Sequence, residues 1–195
     1  MTGQDPEGRF PDRLDTRLVH DGRIVKLSLD TVSFPDGSQG TLEMIRHPGA
    51  SAILPVVGSV EDEDPEVLLI HQYRYAAGGY IWEVPAGIPL GPEEPWEACA
   101  RRELEEETGY RAAEMRPLTR IFTTPGFTDE VIHLFVATGL EKGERNLDDD
   151  EFMEVVRMPF SRTLEMVRDG EITDCKSICT ILYASSFVMG AQGGS

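Results

Sequence analysis

No apolar run in this 195-residue chain is long enough to span a bilayer, and no secretory signal pattern opens it. These absences argue against a transmembrane role and give the cytoplasm as the expected location. Cysteine is scarce. Cys99, Cys175 and Cys179 are odd in number and form no CxxC pattern, which argues against a disulfide framework or a zinc ribbon. Cys175 and Cys179 stand four apart in an apparent helix, where packing is the expected role. His20, His47, His71 and His133 show no metal-ligand spacing. Basic residues are few: 18 Lys and Arg face 35 Asp and Glu, a net charge of −17. Nucleic acid, which selects for basic surfaces, is therefore not an expected partner. Internal repeats and low-complexity segments are also missing. What remains is an ordinary globular composition, 40% apolar, on a chain long enough for one sizeable core.

Residues 1–15 are polar and rich in Gly, Pro and Asp, and read as a loose tail. Alternating apolar residues over 22–34 and 41–47 flank the turn Pro35-Asp36-Gly37-Ser38, so 16–47 reads as an N-terminal β-hairpin region. A lone hairpin is marginal and must pack on something, in part on a second copy of the chain. A main domain follows over 48–190, and 191–195 form a second tail. Its expected strands are 51–57, 67–74, 80–84, 115–122, 130–138 and 152–158, with 123–129 joining two of them and 139–150 a polar loop. Helices are expected up to Gly109 and over 160–168 and 174–189. This order implies an α/β fold with mixed sheets between helices rather than a regular βαβ series.

One stretch stands out, Ala86 to Tyr110. A Gly/Pro-rich loop opens a helix that Gly109 closes. At 3.6 residues per turn, Glu103, Glu106 and Glu107 share a face, while Ala98, Cys99 and Leu104 lie on other sides and are expected to pack. Like charges at this spacing repel, and carboxylates near a helix C-terminus oppose its dipole. A bland solvated face would keep that cost. A hard divalent cation reverses it, because Mg²⁺ and Mn²⁺ prefer oxygen donors. Arg102 is placed to hold one carboxylate.

Gly87, Glu94 and the run Arg102-Glu103-Leu104-Glu105-Glu106-Glu107-Thr108-Gly109-Tyr110 resemble the Nudix box, G-x5-E-x7-R-E-U-x-E-E-x-G-U with U a bulky apolar residue. Every position from Glu94 onward fits; upstream, six residues rather than five separate Gly87 from Glu94. Arg46-His-Pro-Gly-Ala50, Gln72-Tyr-Arg-Tyr75, Gly78-Gly-Tyr80, Trp82-Glu-Val-Pro-Ala-Gly87, Pro125 and Asp174-Cys-Lys-Ser177 are similar to the ADP-ribose pyrophosphatase branch of the Nudix hydrolases. The resemblance implies an α/β/α sandwich over 48–190 and a homodimer with exchanged N-terminal strands. It also implies Mg²⁺-dependent cleavage of a nucleoside diphosphate sugar, with Mn²⁺ as a substitute. ADP-ribose, giving AMP and ribose 5-phosphate, is the favoured substrate; GDP-mannose, ADP-glucose and NADH share the reactive bond.

Pyrophosphate is anionic and inert to water, so cleavage needs charge neutralised, a water deprotonated and the two aligned. Glu103, Glu106 and Glu107 are the expected ligands, and the resemblance adds the carbonyl of Ala86. It also implies a catalytic carboxylate from the Asp148–Glu151 loop, with Glu151 first, as ligand or base, and Asp149 second. Arg74 at its strand end suits a phosphate clamp, Arg46 a second, and Glu83 a ribose hydroxyl or the metals. Asp129 is expected near substrate. Trp82, Tyr73 and Phe127 are candidates for stacking on a base, but if Glu83 faces the site then Trp82 faces away and packs. Two other classes remain: a non-catalytic ADP-ribose sensor, which should show a broken carboxylate set, and an acidic Ca²⁺-buffering protein, which has no use for Arg102 in register.

Overall fold

The computed structural model describes residues 10–22, 25–146 and 152–190. They form two compact units: 1–48 with 122–130, and 49–121 with 131–195.

The first unit is a three-stranded antiparallel sheet, β1 (Arg13–Asp21), β2 (Lys26–Ser33) and β3 (Gln39–Arg46), in that order. The turn expected between β2 and β3 forms as read. Asp36 Oδ1 accepts from the Ser38 N–H and hydroxyl at 2.9 and 2.6 Å, and Gly37 sits at φ 82°, where a Cβ would be strained. The hairpin, however, has a third strand. β1 begins at Arg13, three positions before the expected start at Thr16. Its mix of charged and apolar residues hides the alternation, and pairing with β2 fixes it instead, helped by the Thr16 hydroxyl donating to buried Asp30 at 2.6 Å. Residues 123–129, expected as a plain connection, dock on β3: the Ile45 N–H donates to the Phe127 carbonyl at 2.7 Å, and Thr128 bridges Ile45 in parallel.

The second unit holds β4 (Ala50–Val57), β5 (Glu66–Arg74), β6 (Gly79–Glu83), β7 (Ala86–Gly87), α1 (Trp96–Thr108), β8 (Tyr110–Phe122), β9 (Val131–Lys142), β10 (Met153–Pro159), α2 (Phe160–Arg168) and α3 (Cys175–Phe187). Strands run in the order β10-β5-β4-β9-β8, with β6 on β5 and β7 on β4; β4 and β9 are parallel, and β5 with β10, β4 and β6, and β4 with β7, are antiparallel. β4 is buried on both faces, as its unbroken apolar run implies. Ala52, Leu54 and Val56 face one core with Phe160, Met166 and Ile181 of α2 and α3. Ile53 faces another with Ala100 and Leu104 of α1. Helices thus cover both faces of a mixed sheet, the α/β/α sandwich expected.

Several details differ from the sequence reading, among them the start of β8 at Tyr110 rather than at 115. β9 runs on to Lys142 because Gly139, which looks like a strand end, takes φ 64° inside the strand, where a Cβ would lie 2.8 Å from that of Ala113. On α1, Ala98 is exposed, and Ala100 takes the inward place beside Cys99 and Leu104.

Candidate active site

Helix α1 starts at Trp96 after Pro95 and ends at Gly109, whose φ of 75° lets its N–H donate to the Glu105 carbonyl at 2.8 Å. Trp96 packs at the helix start, stacked on His133 at 4.2 Å. The three expected carboxylates share a face graded from core to solvent: Glu107 is 2% exposed, the Glu103 side chain 12% and that of Glu106 35%.

The loop before the helix closes on this face. β7 pairs with β4 through Ala86 and Ala52, and the Ala86 N–H donates to Glu107 Oε2 at 2.9 Å. Gly87 lies against the Glu103 carboxyl group so closely that a Cβ would overlap it. The obstacle is the tip of a flexible side chain, not backbone. Gly87→Ala is therefore expected to fold with near-normal stability while pushing Glu103 aside, lowering kcat/KM by about a hundredfold. Thermal unfolding and initial rates on the same preparation check this. A large loss of Tm, or normal activity, would contradict it.

Arg102 does more than hold one carboxylate. Its guanidinium donates to Glu94 Oε1 at 3.1 Å, Glu103 Oε1 at 2.7 Å, Glu106 Oε2 at 2.8 Å and the Ile88 carbonyl at 2.9 Å. Burial opposes its charge, but these carboxylates outweigh burial and hold it protonated. Glu94 also accepts from the Leu90 N–H at 2.7 Å and so closes the loop with the extra residue. Glu105 points away, paired with Arg111 at 2.7 Å. An open cavity of about 500 Å³ lies beside Arg102 and Glu106, lined also by Arg101, Glu105, Arg111, Glu144 and Asn146; it has room for a small-molecule ligand, but Glu103 and Glu107 are not among its lining residues.

Among the described residues no three His, Cys, Asp or Glu side chains converge at metal-binding spacing, and Arg102 bridges Glu103 to Glu106. The donor set nevertheless suits a hard cation. It offers only oxygens, and its carboxylates outnumber the one guanidinium that serves them. Glu103, Glu106 and Glu107 would hold such a cation.

A second cluster surrounds Glu83, which is 2% exposed at the end of β6. Arg74 binds it with Nε and Nη2 at 2.9 and 2.8 Å, and Lys176 Nζ binds Glu83 Oε2 at 2.8 Å. Burial by itself would raise the Glu83 carboxyl, but the Arg74 hydrogen bonds and the Lys176 charge hold it below the usual range. Its stabilisation is complete above the unfolded value near 4.5 and is lost as pH falls through the lower folded value. In urea titrations from about pH 6 to about pH 3, Glu83→Gln is expected to flatten the acid loss of stability; an unchanged slope would contradict this. Arg74 remains 42% exposed, so it keeps a solvent-facing surface for an anion. Trp82 turns to the opposite face, stacked on His71 at 4.4 Å and packed on the core, as expected if Glu83 faces the site.

Lys176 lies in the Asp174–Ser177 run that carries the resemblance, but its pairing with Glu83, 93 positions away, leaves no spacing signal. Gln72 is also unexpected: on the strand face of Arg74, its Oε1 is buried without a hydrogen-bond partner among the described residues. Arg46 and Asp129 come together in the first unit. Arg46 pairs with Asp30 and with Asp129 Oδ2 (3.4 Å), lies 4.3 Å from the Phe10 ring centre, and Asp129 Oδ1 accepts from the His47 N–H at 2.8 Å. Tyr73 and Phe127 are exposed. Asp149 and Glu151 lie outside the described residues.

Comparison with known proteins places this geometry. Residues 52–173 match the family model described as NUDIX domain. The chain is 37% identical over 172 residues to the methanol dehydrogenase activator of Bacillus methanolicus, covering 87% of this chain and 90% of that one. It is 36% identical over 167 residues to the ADP-ribose pyrophosphatase of Bacillus subtilis (strain 168), covering 85% and 87%. A solved structure described as an ADP compounds hydrolase shares the fold at a TM-score of 0.77 and 20% identity, over 92% of this chain and 95% of that one. With its carboxylate helix, its closing glycine and the Arg102 bridge all in register, the chain belongs to the NUDIX domain family.

Proposed function

We propose that the protein hydrolyses the pyrophosphate bond of a nucleoside diphosphate sugar, ADP-ribose before others, to AMP and ribose 5-phosphate. It is a Nudix pyrophosphohydrolase with an intact carboxylate set, and the similarity to a named ADP-ribose pyrophosphatase supports the substrate. The observation that carries the reading is the graded face of Glu103, Glu106 and Glu107 against Ala86 and Gly87. Mg²⁺ is the cofactor: when bound it neutralises phosphate charge and lowers the pKa of water. The Ala86 carbonyl completes its ligands, and Glu151, with Asp149 as the second choice, supplies a further ligand or the base. Arg74 turns its exposed surface to the phosphates, Glu83 orients it, and Arg46 and Asp129 contribute to substrate binding. The location is cytoplasmic.

Phosphate release by added phosphatase, from a panel of ADP-ribose, ADP-glucose, GDP-mannose and NADH, tests the reading. ADP-ribose is expected to give the highest kcat/KM, and only with Mg²⁺. No turnover of any member would overturn it.

The protein acts as a homodimer through the N-terminal sheet. Leu14, Leu18, Val19 and Leu42 of that sheet are 40–56% exposed, apolar surface suited to a second copy. Light scattering should give twice 21.7 kDa, and Leu18→Glu should shift the particle toward a monomer. A monomeric wild type would contradict this.

A further inference from the structure

The chemistry above uses none of the three cysteines. Cys99 is buried beneath Gly87, and burial pushes its thiol up to about 11, so it is a poor nucleophile. Cys175 and Cys179 differ. Both are free, Cys175 is exposed and Cys179 half-buried. They occupy successive turns at the start of α3, where burial first, and the neighbouring Cys175 second, push the Cys179 thiol up.

We propose that Cys175 and Cys179 are a reversible dithiol pair, closed to a disulfide by a small-molecule disulfide, whose closure unwinds the first turn of α3 and releases Lys176 from Glu83. Its effect on turnover rests on the hydrolase reading; its effect on the helix does not.

The geometry makes closure reachable but incompatible with an intact turn. Side chains at i and i+4 on a helix have Cβ atoms roughly 5–6 Å apart. A disulfide needs about 3.5–4.5 Å, with Cα atoms about 4.4–6.8 Å apart. Ideal helix geometry gives about 6.2 Å between these Cα atoms, within that range. The backbone therefore must shift locally, and the shift falls on Lys176 and Ser177, which lie between the two thiols.

Those two residues fasten the helix to the site. Lys176 Nζ donates to Glu83 Oε2 at 2.8 Å and to Asp174 Oδ2 at 3.0 Å. Asp174 caps the helix, accepting from the Ser177 N–H at 3.0 Å and from its hydroxyl at 2.5 Å. The Ser177 hydroxyl oxygen in turn accepts from the Val84 N–H at 2.8 Å. Val84 leads through Pro85 into Ala86, whose N–H holds Glu107. A change in one helical turn thus reaches both Glu83 and the loop beneath the carboxylate helix.

The reaction balances as two exchanges. The exposed Cys175 thiolate attacks a sulfur of RSSR and expels one thiol, leaving a mixed disulfide. The Cys179 thiol then attacks Cys175 of the mixed disulfide, giving up its proton as the second thiol leaves. The protein loses two hydrogens, and RSSR is reduced to two RSH.

Oxidised glutathione on the full-length protein is the test. Expected are loss of two hydrogens in the peptide spanning 175–179, faster amide exchange at Val84 and over 176–179, and a fall in kcat/KM of about tenfold. Dithiothreitol should restore all three, and Cys175→Ser and Cys179→Ala should each abolish the response. A stable mixed disulfide that never closes would overturn the proposal. So would a closed disulfide with unchanged exchange and kcat/KM. If the reduced enzyme turns over no nucleotide sugar, the hydrolase reading fails, and exchange at Val84 still decides this one.

Discussion

Glu107→Gln should lower kcat on ADP-ribose by at least about a hundredfold with the fold intact. Glu107 is the most buried of the three carboxylates and accepts from the Ala86 N–H at 2.9 Å. Glutamine can keep that acceptor through its amide oxygen, so the loop stays in place. What it loses is the charge and one donor oxygen for a hard cation. The effect should therefore appear in kcat and in the Mg²⁺ concentration needed for half-maximal rate, not in Tm. Full activity would remove Glu107 from the ligand set.

Arg102→Leu should cost about 2–3 kcal/mol of stability, a Tm lower by about 5–10 °C. The substitution leaves Glu94, Glu103 and Glu106 repelling one another and strips a donor from the Ile88 carbonyl. The figure lies below the usual cost of breaking a buried pair because Glu106 is 35% exposed and partly screened. Mg²⁺ would neutralise two of these carboxylates, Glu103 and Glu106, so added Mg²⁺ should raise Tm further in the variant than in wild type. Calorimetry at several Mg²⁺ concentrations measures both effects; equal Tm increments would contradict the shared role.

Local rules carried much of this site into view. The closing Gly109, the shared face of Glu103, Glu106 and Glu107, and the placing of Arg102 all follow from helical spacing. The parts that escaped are long-range. Glu83 meets Lys176 from 93 positions away, and Arg46 meets Asp129 from 83. No spacing rule reports such pairs. The start of β1 was hidden for a related reason, since Arg13–Asp21 becomes a strand through its partner β2 rather than its own pattern. Gly139 misled in the other direction: a residue read as a strand end serves as a single left-handed step inside a longer strand.

Turnover of ADP-ribose in ¹⁸O-labelled water, with products resolved by mass spectrometry, tests the central claim most directly. The expected result is AMP and ribose 5-phosphate, one label on one of the two monophosphates, formed only with Mg²⁺. Intact ADP-ribose after incubation with Mg²⁺, or cleavage at any bond other than the pyrophosphate, would contradict it.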